Sequence, residues 1–224
     1  MGIGASEEER MRIVDLSHVI EPGMPVYPGT EPPRLEDACT IERDGFAEKK
    51  VTFYSHTGTH VDAPAHLLQD GRTLDRYPIE HFCGEAVCLN FDRPGLRTIS
   101  HADLEPHRPS IERAKFVLLR TGWSRHWGRP SYFANYPILS SEAAEWLVGL
   151  RLRGIGLDTI SADAPEAEGL PIHRVLLGEG LILVENLTSL DSLPDGVFTF
   201  LCFPLRLENA DGSPVRAVAC LESH

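Results

Sequence analysis

Three of the ten histidines fall inside one short segment, His56-Thr57-Gly58-Thr59-His60-Val61-Asp62-Ala63-Pro64-Ala65-His66. Neutral imidazole and carboxylate are the ligands that Zn²⁺, Mn²⁺ and Fe²⁺ take from proteins. The spacing disfavours both regular elements. On a straight strand the Cα atoms of His56 and His60 would stand about 13 Å apart, at about 3.3 Å per residue, which barely permits a shared ion. On a helix the rise would be only about 6 Å, but Gly58, two threonines, Val61 and Pro64 are poor helix formers. A bent, irregular segment is expected, with Gly58 as its hinge. Asp62 could place one carboxylate oxygen on each of two ions, so it is the natural bridge. His66 is either another ligand or an acid/base beside the metal, since imidazole exchanges protons near neutral pH.

One segment rarely completes a metal site. His173 falls in the first turn of a helix that Pro171 can open. Glu185 closes the apolar run Leu181-Ile182-Leu183-Val184, so it lies at a solvent edge or in a site. The segment Asp158 to Asp163 ends another strand. It is either a turn capped by its own Asp and Ser side chains or a wall of the site.

These residues need a scaffold. Arg12 to Ser17, Lys50 to Tyr54, Lys115 to Thr121, Gly154 to Leu157 and Leu181 to Val184 read as strands. Val197 to Leu207 and Pro214 to Leu221 read as two more, joined by the turn Asn209-Ala210-Asp211-Gly212. Ser140 is a good N-cap for a helix running through Leu152. Pro22 to Pro33 is too rich in proline for a helix or an inner strand, so it is a loop or flap. Strands outnumber helices in mixed order. The expected fold class is α/β of the mixed α+β kind, with one mixed sheet rather than regular alternation.

The 224 residues suit a single domain; residues 1–11 are expected to form a flexible tail ahead of a domain over 12–224. Hydrophobic residues at 42% and charged residues at 24% are ordinary globular values. Lys and Arg number 21 against 33 Asp and Glu, a net charge of −12. That balance argues against nucleic acid, which is bound by neutralising phosphates, and against anionic membrane surfaces. No apolar run approaches the roughly 18 residues of a membrane span. The acidic start is no secretory signal. Met1-Gly2-Ile3-Gly4-Ala5-Ser6 fits an N-myristoylation pattern, but one acyl chain beside Glu7-Glu8-Glu9 would be a weak anchor. Five cysteines without a CxxC pair read as reduced thiols of a cytoplasmic protein. Asn186-Leu187-Thr188 matches a glycosylation sequon, which has no consequence without secretion.

The segment His56 to His66 resembles the signature of the cyclase-family metal-dependent hydrolases, the group that holds arylformamidases and isatin hydrolases. Supporting motifs extend over most of the chain: Asp15-Leu16-Ser17, Gly23 to Gly29, Leu119 to Trp123, Gly156-Leu157-Asp158, Ser161-Ala162-Asp163 and Asp211 to Ala217. The resemblance implies a single domain, a mixed-sheet core with helices around it (a swivelling β/β/α-like fold), assembled as a homodimer or homotetramer. It implies that His56, His60 and Asp62 hold one metal, that Asp62, His173 and Glu185 hold a second, and that His66 is the acid/base. Two Zn²⁺ ions are the first expectation and Mn²⁺ the alternative; two divalent ions would offset four of the twelve excess negative charges. The implied reaction is hydrolysis of an amide or formamide in a small molecule by metal-activated water. The alternatives are opening of a lactam or lactone ring with Mn²⁺, and a non-catalytic metal-binding scaffold. Two departures concern the aromatic substrate. Tyr27, the expected substrate contact, stands where formamidases tend to carry Trp, and Leu67 stands where Phe is frequent.

Overall fold

The computed structural model describes residues 11–222, so the tail expected over 1–11 lies almost wholly outside the described residues, as does the myristoylation pattern. Nine strands form one mixed sheet. Their spatial order is Arg12–Asp15, Val218–Leu221, Val197–Leu201, Cys83–Asn90, Phe116–Arg120, Gly154–Leu157, Ile182–Glu185, His60–Asp62 and Gly212–Pro214. The four strands from Cys83–Asn90 to Ile182–Glu185 are mutually parallel, and the outer ones pair antiparallel. This is the expected mixed α+β class.

The chain forces the sheet to curl. Gly212–Pro214 lies at one edge and Val218–Leu221 next to the other, yet only residues 215–217 join them. In a flat sheet they would be seven strand spacings apart, about 34 Å. Four residue steps reach at most about 14 Å. The seam is stitched where Val215 N donates to Thr59 O (3.0 Å) and Leu16 N donates to Ala217 O (2.9 Å), with a bridge between Ser17 and Leu187.

Curling gives the sheet an inside and an outside. Along Phe116–Arg120, Phe116 and Leu118 point into an inner core with Val61, Val184 and Phe200. Val117 and Leu119 point to an outer core with Ile155, Leu183, Leu147 and Leu176. The outer core is covered by the helices Ser141–Val148 and Pro171–Gly178. Each such fully buried side chain contributes roughly 1.5–3 kcal/mol.

Several boundaries differ from the sequence reading. The helix begins as expected, with Ser140 Oγ accepting from Ala143 N (3.1 Å), but it stops at Val148 before Gly149. The first strand ends at Asp15. The strand near Lys50 is Glu48–Thr52, and it pairs only with the unforeseen strand Arg34–Cys39. Its polar residues lie on both faces, so this hairpin stays exposed and the alternation marks no core. The expected C-terminal hairpin is overturned. The turn after Asn209 leads into the separate edge strand Gly212–Pro214, and only Val218–Leu221 pairs with Val197–Leu201. Pro214, with no N–H to donate, is accommodated because that strand is an edge.

Two half-buried imidazoles lie away from the cavity that the candidate metal-ligating side chains line. His18 stacks on Trp127, with centroids 3.8 Å apart and planes 5° apart. His81 packs against Tyr77 and Phe82. In both, Nε2 is buried without a hydrogen-bond partner among the described residues. Burial pushes the pKa of His18 down to about 4. Burial, with Arg153 and Arg72 nearby, does the same to His81. Released by unfolding, both titrate near 6.5. The unfolded chain therefore binds more protons between pH 6.5 and about 4, and stability falls as the pH is lowered through that window. The urea midpoint of the metal-free protein is expected to drop between pH 6.5 and 4.5, and to drop less in a His18→Phe/His81→Phe double variant. Identical pH slopes for the two proteins would contradict this.

Candidate metal centre

The bend sits where the sequence places it. Gly58 has φ +67°, and a Cβ there would come within 3.2 Å of Met24 Cε. Beyond the bend the chain enters the short strand His60–Asp62, an element the sequence reading did not foresee. Alternation puts His60 and Asp62 on one face and Val61 in the core. Antiparallel register sets Glu185 opposite His60. Glu185 is thus a buried strand residue and not a solvent edge. A 3-10 turn over Pro64–His66 swings His66 back, with its N–H donating to Ala63 O (2.9 Å). His173 occupies the first turn of the helix that Pro171 opens.

These side chains converge on Asp62. Its Oδ1 lies 2.6 Å from His56 Nδ1 and 3.2 Å from His60 Nε2. Its Oδ2 lies 3.6 Å from His173 Nε2, which is 3.2 Å from Glu185 Oε1. Two groups therefore share one carboxylate. In each of His56/His60/Asp62 and Asp62/His173/Glu185, one ligand atom per residue lies within 4.8 Å of the others.

The outer nitrogen of each ring is tied down. His56 Nε2 donates to Asp211 Oδ2 (2.9 Å), His60 Nδ1 to Gly58 O (2.8 Å) and His173 Nδ1 to Asp163 Oδ2 (2.6 Å). All three partners are acceptors only, so they fix which nitrogen carries hydrogen on the outer side. The inner nitrogens are left facing Asp62 and Glu185. This is the outer-shell arrangement that orients metal-binding histidines. Asp163 also accepts from Ile172 N (2.8 Å) and His173 N (3.0 Å), capping the helix from outside it. Glu185 Oε1 accepts from Ala162 N (3.1 Å).

The charge balance asks for a cation. Asp62 and Glu185 are buried, with Asp163 and Asp211 just behind, and among the described residues the cavity lining contains no Lys or Arg. Burial raises the pKa of Asp62, but the His60 and His56 charges hold it well below the usual carboxylate range. Burial would lower His56, yet Asp62 and Asp211 raise it to about 10. His173 is likewise raised by Glu185 and Asp163 against burial. Ring protons thus supply the positive charge that buried carboxylates require. Metal uptake would replace those protons, and a donor set of imidazole and carboxylate fits Zn²⁺ or Mn²⁺.

The group opens into a cavity of about 550 Å³, walled on its apolar side by Pro25, Val26, Tyr27, Tyr54, Ile160 and Leu170. Pro25 to Tyr27 come from the proline-rich flap. His66 stands half-buried at the mouth. Its ring is 4.0 Å from that of His56, and its Nδ1 is 3.6 Å from Asp211 Oδ2. Burial lowers its pKa, with Asp62 opposing, so the neutral ring is favoured. Leu67 packs into the outer core instead of the cavity. The segment 158–163 divides. Asp163 holds His173, whereas Asp158 accepts from Thr121 N, Thr121 Oγ1 and Gly122 N and serves the strand ends. Asp211 and Asn186, both lining the cavity, were missed. Asp211 read as a turn residue and Asn186 as part of a sequon. The following Gly212 is a usable signal, because a Cβ there would lie 2.5–2.9 Å from the His56 ring atoms.

Two substitutions test this supporting shell. Asp163→Asn keeps the shape but weakens the acceptor for His173, and Gly212→Ala displaces the His56 ring. Each is expected to weaken zinc binding about 10–100-fold in a chelator competition. Wild-type affinity in both would show that the shell does not orient the histidines.

Comparison with known proteins agrees with this geometry. The family model described as "Putative cyclase" matches residues 14–164. The chain is 34% identical over 209 residues to a kynurenine formamidase of Bacillus cytotoxicus, covering 92% of this chain and 95% of the relative. It is 30% identical over 216 residues to a kynurenine formamidase of Erythrobacter litoralis, covering 96% of each. Among solved structures, isatin hydrolase A from Ralstonia solanacearum superposes with a TM-score of 0.85 at 28% identity, covering 95% of this chain and 92% of that one. A predicted metal-dependent hydrolase from Bacillus stearothermophilus gives a TM-score of 0.78 at 26% identity, covering 94% and 98%. The clustered histidines, the curled mixed sheet and these matches give one conclusion: the chain belongs to the cyclase family of metal-dependent hydrolases.

Proposed function

We propose that this protein is an arylformamidase, hydrolysing N-formylkynurenine or a close aryl formamide to the arylamine and formate. The observation that carries the reading is Asp62, whose two oxygens face two separate ligand groups while His66 stands beside them, within reach of His56 and Asp211. His56, His60 and Asp62 would hold one divalent cation, and Asp62, His173 and Glu185 a second. Bound there, such cations polarise a carbonyl and make water acidic near neutral pH. Zn²⁺ is the proposed metal and Mn²⁺ the alternative.

The remaining work falls to the chain. Tyr27 and the apolar wall receive the aromatic ring and shield the formyl group from bulk water. Water adds its oxygen to the formyl carbon and gives up a proton, which His66 accepts. His66 returns that proton to the aryl nitrogen as the carbon–nitrogen bond breaks, so amine and formic acid leave, the acid giving its remaining proton to solvent as formate. Asp211, 3.6 Å from His66 Nδ1, is placed to steady the imidazolium between these steps. We further propose a homodimer or homotetramer working on a small molecule in the cytoplasm. Among the described residues no helix is long and apolar enough to cross a membrane.

The second reading is lactam ring opening, as the isatin hydrolase neighbours suggest. The formamidase relatives are nearer in sequence, at 34% against 28% identity. In a metal-binding scaffold without catalysis, His66 would serve with His56 and Asp211 as a ligand. The test is chelation followed by reconstitution with Zn²⁺ or Mn²⁺, assayed on N-formylkynurenine, isatin and aryl esters. Activity should vanish with the metal and return with it, highest on the formamide. His66→Ala should keep its metal and lose about 10²–10⁴-fold in kcat. Hydrolysis that survives complete metal removal would overturn the mechanism, and loss of metal from His66→Ala would make His66 a ligand.

A further inference from the structure

The Gly58 carbonyl that holds His60 is itself held. Asn186 Nδ2 donates to Gly58 O at 2.8 Å, the same oxygen that receives His60 Nδ1. Asn186 Oδ1 accepts from Tyr132 Oη at 2.6 Å. The carbonyl can only accept, so it fixes which way the Asn186 amide faces, and Tyr132 must then donate. Tyr132 has no solvent exposure and Asn186 only 4%. Tyr132 is pinned in turn, because Trp123 Nε1 donates to its carbonyl (2.9 Å) and Trp127 packs edge-on against its ring.

The backbone of Asn186 is equally committed. Its N–H donates to Thr159 O (2.9 Å) and its carbonyl accepts from Thr59 Oγ1 (2.7 Å). Its φ of +57° lies in the left-handed region, where Asn is among the tolerated residues. A buried amide is costly unless every polar atom is bound, and here every one is. The amide immediately follows Glu185, so one bend joins a side chain of the second ligand group to the support of the first.

We propose that Asn186 and Tyr132 are positioning residues that fix the ring orientation and tautomer of His60, presenting Nε2 toward the cation. This rests on the metal-dependent reading above and adds residues that act through His60 without touching substrate. A packing role alone would give a different result, since it would lower stability and leave His60 as it is.

The test uses the whole chain as Asn186→Gly, which suits the left-handed backbone, and Tyr132→Phe, which removes one hydroxyl. Tyr77→Phe is the control, losing a tyrosine hydroxyl bonded to Gly180 O on a different part of the fold. Two readouts are taken: the imidazole nitrogen signals of His60 by ¹⁵N NMR in zinc-loaded protein, and zinc affinity by chelator competition. The wild type and Tyr77→Phe should show a single Nδ1–H tautomer. Asn186→Gly should show mixed tautomers and about tenfold weaker zinc binding, and Tyr132→Phe about threefold weaker binding. Wild-type tautomer and affinity in both variants, even with a lower thermal midpoint, would overturn the proposal. If Asn186→Gly fails to fold, Tyr132→Phe decides alone by the same two readouts. Wild-type protein that takes up no zinc would remove the metal reading and this one together. Wild-type protein that binds zinc and hydrolyses formamide while the variants match it would remove this one alone.

Discussion

Two buried carboxylates that no lysine or arginine answers among the described residues dominate this molecule. Asp62 and Glu185 are withdrawn from water and face the same small space. The effective penalty for burying one such ion is several kcal/mol even after relaxation, and little in the chain's own charge repays it. In the metal-free protein the histidines repay it by holding protons, with His56 raised to about 10 by its acidic neighbours. The same rings with their protons removed are metal ligands. One unfavourable electrostatic fact therefore accounts for the clustering of imidazoles, for the raised and lowered pKa values, and for the affinity toward divalent cations that the reading requires.

The fold exists in a form that makes this clustering possible. The residues of the candidate site come from three distant stretches, around 56–66, 173–185 and 211. The curled sheet brings them to one place by pairing His60–Asp62 between Ile182–Glu185 and Gly212–Pro214. Strand alternation then decides which side chains face the cavity and which join the core. Precision comes from an outer layer of acceptors, namely Asp211, the Gly58 carbonyl and Asp163, each holding the far nitrogen of one ring. Such a layer fixes orientation at small energetic cost, because every buried polar group in it is paired.

How much of this could be read from the sequence depends on distance along the chain. His56, His60, Asp62 and His66 announce themselves, because the residue types carry their own chemistry and sit within one bend. Gly58 as the hinge follows from local sterics. His173 and Glu185 are ambiguous as letters, and only a family resemblance connects them with Asp62; the register that puts Glu185 opposite His60 is a tertiary fact. Tyr27 was legible as part of a flap, and it does line the cavity. Asp211 looked like an ordinary turn residue and Asn186 like part of a sequon without consequence, since a side chain that acts through a hydrogen bond leaves no spacing pattern. The mixed fold class was visible in the order of strands. The C-terminal hairpin was misjudged because Gly212–Pro214 pairs with a strand some 150 residues earlier, which no local pattern records.

The central claim is that one carboxylate serves two cations. Crystals of the zinc-loaded protein, measured at the zinc absorption edge, address it directly. The account predicts two anomalous peaks, each about 2.0–2.2 Å from a different oxygen of Asp62, one on the His56/His60 side and one on the His173/Glu185 side. A single peak bound by only one of those oxygens, or none near Asp62, would contradict it.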